Sequence, residues 1–241
     1  MTEHRETLYQ VFNRNLRNND VEVKFAVIET LCSLVEVLDS PDAQYFLTLT
    51  DDLFRGVLWL IGNEETKGEE ALKSLRDLAE TEPGFFKSKM LVVYDFTDQV
   101  MKLNTESTGL KYLALDFQVT IAEGLYTKIQ ENKALGDAIC KKVIEMMVNL
   151  GTEADETWCC PSEGFEEKDN EDNDVEIDYA KLGRKLLTRM VESVGDYFLL
   201  DNLLCLVQSA LNQTDDWRMK YAGLMTISEL AQFIAEIEKI S

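Results

Sequence analysis

The chain has 241 residues, long enough for a continuous core at 45% hydrophobic content, and its 45 acidic against 24 basic residues give a net charge of −21. A carboxylate surplus of that size argues against a nucleic-acid backbone binder, which needs clustered Lys and Arg, and favours basic partners. No run of 18 apolar residues occurs and "MTEHRETLYQ" lacks an apolar signal core, so neither a membrane-spanning helix nor a secretory leader is expected.

In chain order the sequence reads as helices. "ETLYQVFNRNL" places Leu8, Val11, Phe12 and Leu16 at helical spacing, and after the polar break "NND" a second apolar-periodic segment runs to Leu38. The next pair is Gln44–Leu60 with Glu69–Ala79, split by "GNEETKG"; the third is Phe85–Leu103 with Gly109–Tyr126, split by "NTEST". A fourth pair opens at Asn132–Leu150, is interrupted by an acidic stretch, and resumes at Tyr179–Val194; the fifth joins Tyr197–Leu211 to Trp217–Ala235. Pro41, Pro83 and Pro161 all fall between these segments, where a missing N–H does no harm.

Second helices begin near residues 20, 67, 108, 178 and 215, and once about 26 inserted residues are removed the steps match helical-pair repeats. "KFAVI" at 24–28, "KYLAL" at 111–115, "YAKL" at 179–182 and "KYAGLM" at 220–225 share a basic or aromatic start followed by small and branched apolar residues, making Phe25, Tyr112, Tyr179 and Tyr221 equivalent core positions. Such pairs bury their apolar faces only against neighbours. The expected fold is therefore all-α: an α-solenoid of about five antiparallel helix pairs spanning 1–241 as one domain, with an acidic loop in the fourth. The apolar outer ends of the first and last helices suggest a piece of a longer solenoid.

From Glu153 to Asp178 the chain carries twelve Asp or Glu and one Lys, a net of −11. Such a segment buries too little apolar surface to offset its ordering entropy, so a mobile loop is expected. It either merely solubilises the chain or, anchored by Trp158 and Phe165, grips a basic segment. Its candidate contact residues are Glu153, Asp155, Glu156, Trp158, Glu166, Glu167, Asp169, Glu171, Asp172 and Asp174.

Chemistry finds little footing. The single histidine, His4, lies near the N-terminus, no phosphate-binding glycine loop occurs, and the carboxylates sit in loops or solvated faces. No enzyme activity and no cofactor are expected. Cys32, Cys140 and Cys205 read as small buried hydrophobes, and Cys159-Cys160 lacks a metal-site partner, so no metal is expected.

"DDWRMKYAGLMTISELAQ" (Asp215–Gln232) resembles a second helix of HEAT repeats in the importin-β (karyopherin-β) family. "IEMMVNLGTEADETW" leading into the acidic run, then "LGRKLLTRMVESVGDYFL", and upstream "EEALKSLRDLAETEPGFFKSKM", are similar in the same order to the importin-five, or third importin-β, branch. The resemblance implies a HEAT-repeat stretch from the N-terminal to central part of a longer nuclear import receptor, monomeric and shuttling between cytoplasm and nucleus through the nuclear pore. It implies basic cargo (nuclear localisation signals, ribosomal proteins, histones), release by Ran-GTP, and Phe-Gly nucleoporins bound in clefts between first helices, near Phe54, Trp59, Phe96 and Met101. The family's acidic loop corresponds to 153–178, where "CCPSEGF" departs from a uniformly acidic run. Exposed acids on second helices, Glu29, Asp116, Glu123, Glu192 and Glu229, are the remaining cargo candidates. A different HEAT scaffold, or an acidic chaperone for histones or ribosomal proteins, stays open as an alternative.

Overall fold

The computed structural model describes residues 2–103, 107–148, 179–213 and 216–240. The acidic run 153–178, with every candidate residue named in it, lies outside the described residues. By packing, the chain divides into two compact units, Met1–Glu131 and Asn132–Ser241. All regular structure among the described residues is helical.

The first unit holds α1 (Thr2–Leu16), α2 (Val21–Val37), a short α3 (Ser40–Ala43), α4 (Thr50–Asn63), α5 (Glu65–Thr81), α6 (Met90–Lys102), α7 (Thr108–Gly124) and a short α8 (Tyr126–Glu131). Gln44–Leu49 and Pro83–Lys89 are 3-10 turns leading into α4 and α6. The sequence reading ran these turns into one helix each. Their apolar spacing fits a helix, but Pro83 at the mouth of the second turn cannot supply an i→i−4 donor.

Local chemistry fixes the starts. Asp20 caps α2, its Oδ1 accepting from the Val23 N–H at 2.9 Å, and Ser107 caps α7, its Oγ accepting from the Leu110 N–H at 3.2 Å. Phe25, Ile28, Leu31, Cys32 and Val35 then recur along α2 at helical spacing and are buried.

First helices pack on first helices (α1 on α4, α4 on α6) and second on second (α2 on α5, α5 on α7), giving two layers. Between them, Phe54 stacks on Phe96 at 4.4 Å between centroids, and Phe86 meets Phe117 edge-on at 5.7 Å. Burial of each such ring contributes about 1.5–3 kcal/mol. Glycine permits a close crossing: a Cβ on Gly68 would stand 2.6 Å from Ile61 Cα, so α4 and α5 pack backbone to backbone there.

The second unit repeats the plan with α9 (Lys133–Val148), α10 (Tyr179–Val194), α11 (Asp196–Asn212) and α12 (Trp217–Ile240). Here α9 packs on α11 and α10 on α12, while α9–α10 and α11–α12 form the pairs. Gly195, with φ at 104°, turns the chain from α10 into α11, a conformation that a side chain would strain. Cys32 and Cys140 are buried as expected, whereas Cys205 is exposed on α11. Phe25 is in the core, while Tyr112 and Tyr221 are half-buried.

Candidate functional site

Two surfaces of the first unit, and one buried device in each unit, bear on function. The first surface is a cleft of about 350 Å³ between α4 and α6, lined by Asp51, Phe54, Arg55, Leu58, Val92, Asp95, Phe96 and Gln99. The stacked Phe54–Phe96 pair forms its floor, and the half-buried Leu58 and exposed Val92 form its walls. Leu91, 59% exposed, continues the apolar surface on α6. At the rim Lys89 Nζ donates to Asp51 Oδ1 at 3.0 Å. An apolar floor under a polar, charged rim is the arrangement that accepts a side chain and fixes the backbone around it.

The second surface is the exposed side of α2 and α5. Burial pushes the Cys32 thiol above its ordinary range, and the charges of Glu36, Glu29 and Asp77 push it the same way. All three carboxylates thus lie within electrostatic reach of one buried sulfur; Glu29 and Glu36 are exposed, and Asp77 is half-buried beside Arg76. Of these the sequence reading named only Glu29. Glu36, seven residues on, shares its helical face, and that spacing was the available signal. Asp77 comes from the neighbouring helix and left none.

The remaining second-helix candidates divide. Glu192 is exposed on α10 and Glu123 is half-buried near the end of α7. Asp116 and Glu229, expected at an exposed face, are instead 6% and 7% exposed and engaged by arginines. Arg76 Nε on α5 donates to Asp116 Oδ2 on α7 at 2.9 Å, and Arg76 also meets Asp77 and Glu80. In the second unit Arg184 Nε on α10 donates to Glu229 Oε1 on α12 at 2.8 Å, and Thr188 Oγ1 donates to the other oxygen at 3.1 Å. Each pair ties one second helix to the next, 40 and 45 residues on. Asp116 and Glu229 are each buried against an arginine, so detaching either would leave a buried charge without its partner.

Trp217 opens α12, where the Asp216 carboxylate accepts from the Arg218 N–H at 2.9 Å. Its ring is 40% exposed with the Arg218 guanidinium 5.9 Å from its centroid, more open than a packing anchor requires. Among the described residues no cluster of three or more His, Cys, Asp or Glu is placed to hold a metal, and no helix is long and apolar enough to cross a membrane.

Paired helices stacked first on first and second on second, and tied along the second layer by arginine–carboxylate pairs, define an α-solenoid of the HEAT-repeat kind. No family model matches the chain. It is similar to importin subunit beta-3 of Saccharomyces cerevisiae, 25% identical over 167 residues that cover 68% of this chain and 14% of the relative. Its fold matches the karyopherin Kap121p solved with Nup53p bound, with a TM-score of 0.78 at 21% identity, covering 96% of this chain and 22% of that one. Kap121p solved with Pho4p bound matches with a TM-score of 0.76 over 95% of this chain and 22% of that one, also at 21% identity. The sequence match and the shared α-solenoid together support an importin-β-family HEAT-repeat segment.

Proposed function

We propose that this chain is a segment of a nuclear transport receptor that binds protein cargo and nucleoporins and catalyses no reaction. The observation carrying this reading is the fold match to Kap121p over 96% of the chain, that relative having been solved with Nup53p bound and, separately, with the SUMO protease Ulp1p, the Cdc14p C-terminus, Ste12p and Pho4p. Two local features agree with it. The α4–α6 cleft has an aromatic floor that suits an inserted phenylalanine of a Phe-Gly repeat, and the carboxylates Glu29 and Glu36 of α2 and Asp77 of α5 suit Lys- and Arg-rich segments.

In this reading Glu29, Glu36 and Asp77 attract cargo in the first unit, Glu192 does so in the second, and the acidic run 153–178 adds a charged contact to cargo or to Ran-GTP. Cargo such as ribosomal proteins or histones is released on Ran-GTP binding in the whole receptor, which shuttles between cytoplasm and nucleus as a monomer. The test is retention of the chain on an immobilised Phe-Gly repeat peptide. Weak retention that Val92→Asp abolishes supports the reading; no retention favours a HEAT scaffold, and release of basic proteins independently of Ran-GTP favours an acidic chaperone.

A further inference from the structure

The two walls of the α4–α6 cleft carry opposite charge, a polarity that an inserted phenylalanine alone does not use. On the α4 side stands Arg55, exposed and part of the cleft lining. Its guanidinium shares the Asp52 carboxylate with Arg17 of α1, Arg55 donating to Oδ1 and Arg17 to Oδ2, the latter at 3.0 Å. Two cations on one carboxylate leave this wall positive, and Arg14, exposed one turn before Arg17 on α1, adds to it. On the α6 side stands Asp95, exposed and with no cation paired to it among the described residues. Its neighbours on that face, Leu91, Val92 and Gln99, are uncharged, so this wall is negative. The remaining charge in the lining, Asp51, is cancelled by Lys89.

Packed helices lie about 8–10 Å apart. In an extended peptide, the residues two places either side of a phenylalanine point the same way as its ring and lie about 7 Å from it along the chain. A peptide that crosses the cleft with its phenylalanine on the Phe54–Phe96 floor therefore holds one of those flanking side chains over each wall. Opposite walls then sort the flanks by sign.

We infer that the cleft reads charge as well as shape: its preferred partner segment has an Asp or Glu two residues to one side of the phenylalanine, against Arg55 and Arg17, and a Lys or Arg two residues to the other, against Asp95. The inference rests on the transport reading of this cleft and deepens it, by naming the flanks and by giving the bound segment a single direction. The reversed order meets a like charge at both walls, so it is repelled as well as less attracted. A uniformly basic segment of the kind assigned to α2 and α5 offers Arg55 nothing, which separates the two surfaces by partner.

The experiment measures binding of fluorescein-labelled heptapeptides to the full chain by anisotropy at about 0.05 M salt. Gly-Glu-Ser-Phe-Gly-Lys-Gly and Gly-Lys-Ser-Phe-Gly-Glu-Gly share one composition, so the chain's overall charge acts on both alike. Gly-Ser-Ser-Phe-Gly-Ser-Gly and its Phe-to-Ala analogue report the aromatic anchor alone. One charged order is expected to bind about fivefold tighter than the other, as exchanging two exposed ion pairs for two like-charge contacts gives, and the difference should vanish near about 0.5 M salt. Arg55→Glu combined with Asp95→Lys is expected to invert the preference. Asp95→Lys alone, at an exposed position that gives up no ion pair, makes both walls positive and should erase the preference if the double variant fails to fold. Equal binding of the two orders, with the neutral phenylalanine peptide still preferred over its alanine analogue, would overturn the inference and leave the transport reading standing. A preference that keeps its direction in the double variant would overturn it too. Equal binding of the neutral phenylalanine and alanine peptides would instead remove the cleft from the transport reading, and the inference with it.

Discussion

Lys24 is 5% exposed, and its ammonium donates to the Leu16 carbonyl at the end of α1, at 3.1 Å, while resting 4.4 Å from the Trp59 ring centroid on α4. Burial lowers its pKa. One side chain therefore closes the C-terminal end of α1 and ties three helices together, which a read of "KFAVI" as a repeat signature does not reveal. Lys24→Met keeps the stem and removes the donor and the cation, and is expected to cost about 1 kcal/mol in urea unfolding, since the relieved desolvation offsets part of the loss. Asp52 behaves in the opposite sense. Burial would raise its pKa, but hydrogen bonds and charge from Arg17 and Arg55 outweigh that and hold it below the ordinary 3.8. A carboxylate whose pKa is lower folded than unfolded lends stability above the unfolded value and loses it as pH falls through the folded one. Acid unfolding below pH 3.8 should therefore be steeper for the wild type than for Asp52→Asn, and equal slopes would show that the arginines contribute nothing. Asp116 and Glu229 mark where residue-level reading stops. Each is a charged residue on an amphipathic helix, which sequence places outside, and each is buried because an arginine on the neighbouring second helix, 40 or 45 residues away, meets it.

At the scale of elements, helix existence and pairing were legible and the joints were not. Tyr179–Val194 forms over the expected span, because "YAKLGRKLLTRMVESV" has one sharply apolar face and Gly195 ends it. The 3-10 entries to α4 and α6 and the short α3 and α8 were missed, since runs of four to seven residues carry too few turns for periodicity to separate them from a neighbouring helix. The closeness of a helix pair is another joint that sequence leaves open, and glycine decides it. A Cβ on Gly68 would meet Ile61 Cα and N at 2.6 Å, whereas one on Gly183 would meet the flexible Met147 side chain at 2.5 Å and backbone only at 3.3 Å. Methionine can move and helix backbone cannot. Gly68→Ala is thus expected to destabilise by about 3 kcal/mol and Gly183→Ala by about 1 kcal/mol or less. Thermal denaturation of the two variants checks the order, and a reversal would mean that α4 and α5 separate more easily than α9 and α10. The arginine–carboxylate links belong to this scale too. Asp116→Ala should cost about 2 kcal/mol, with Arg76→Ala costing less than additively on top of it, because the arginine has by then lost its buried partner.

At the scale of the molecule, charge is the property that sequence settles and folding only distributes. Residues 153–178 carry −11 of the −21, so deleting them leaves −10 on a chain whose helix pairs are otherwise intact. Exposed carboxylates such as Glu29, Glu36 and Glu192 remain on the second helices in that deletion. Long-range attraction acts chiefly on the association rate and is screened over about 10 Å at 0.1 M salt. The deletion is therefore expected to slow capture of a Lys-rich localisation-signal peptide several-fold in low salt and to have a much smaller effect near 0.5 M salt, with the dissociation rate nearly unchanged. Stopped-flow measurement of both rates at the two salt concentrations tests this. A dissociation rate that rises on deletion at both salts would make 153–178 a direct contact of the bound peptide, shifting the cargo site away from the second helices. An association rate that does not change would leave those helix-borne carboxylates as the source of the attraction, and the acidic run without a part in cargo capture.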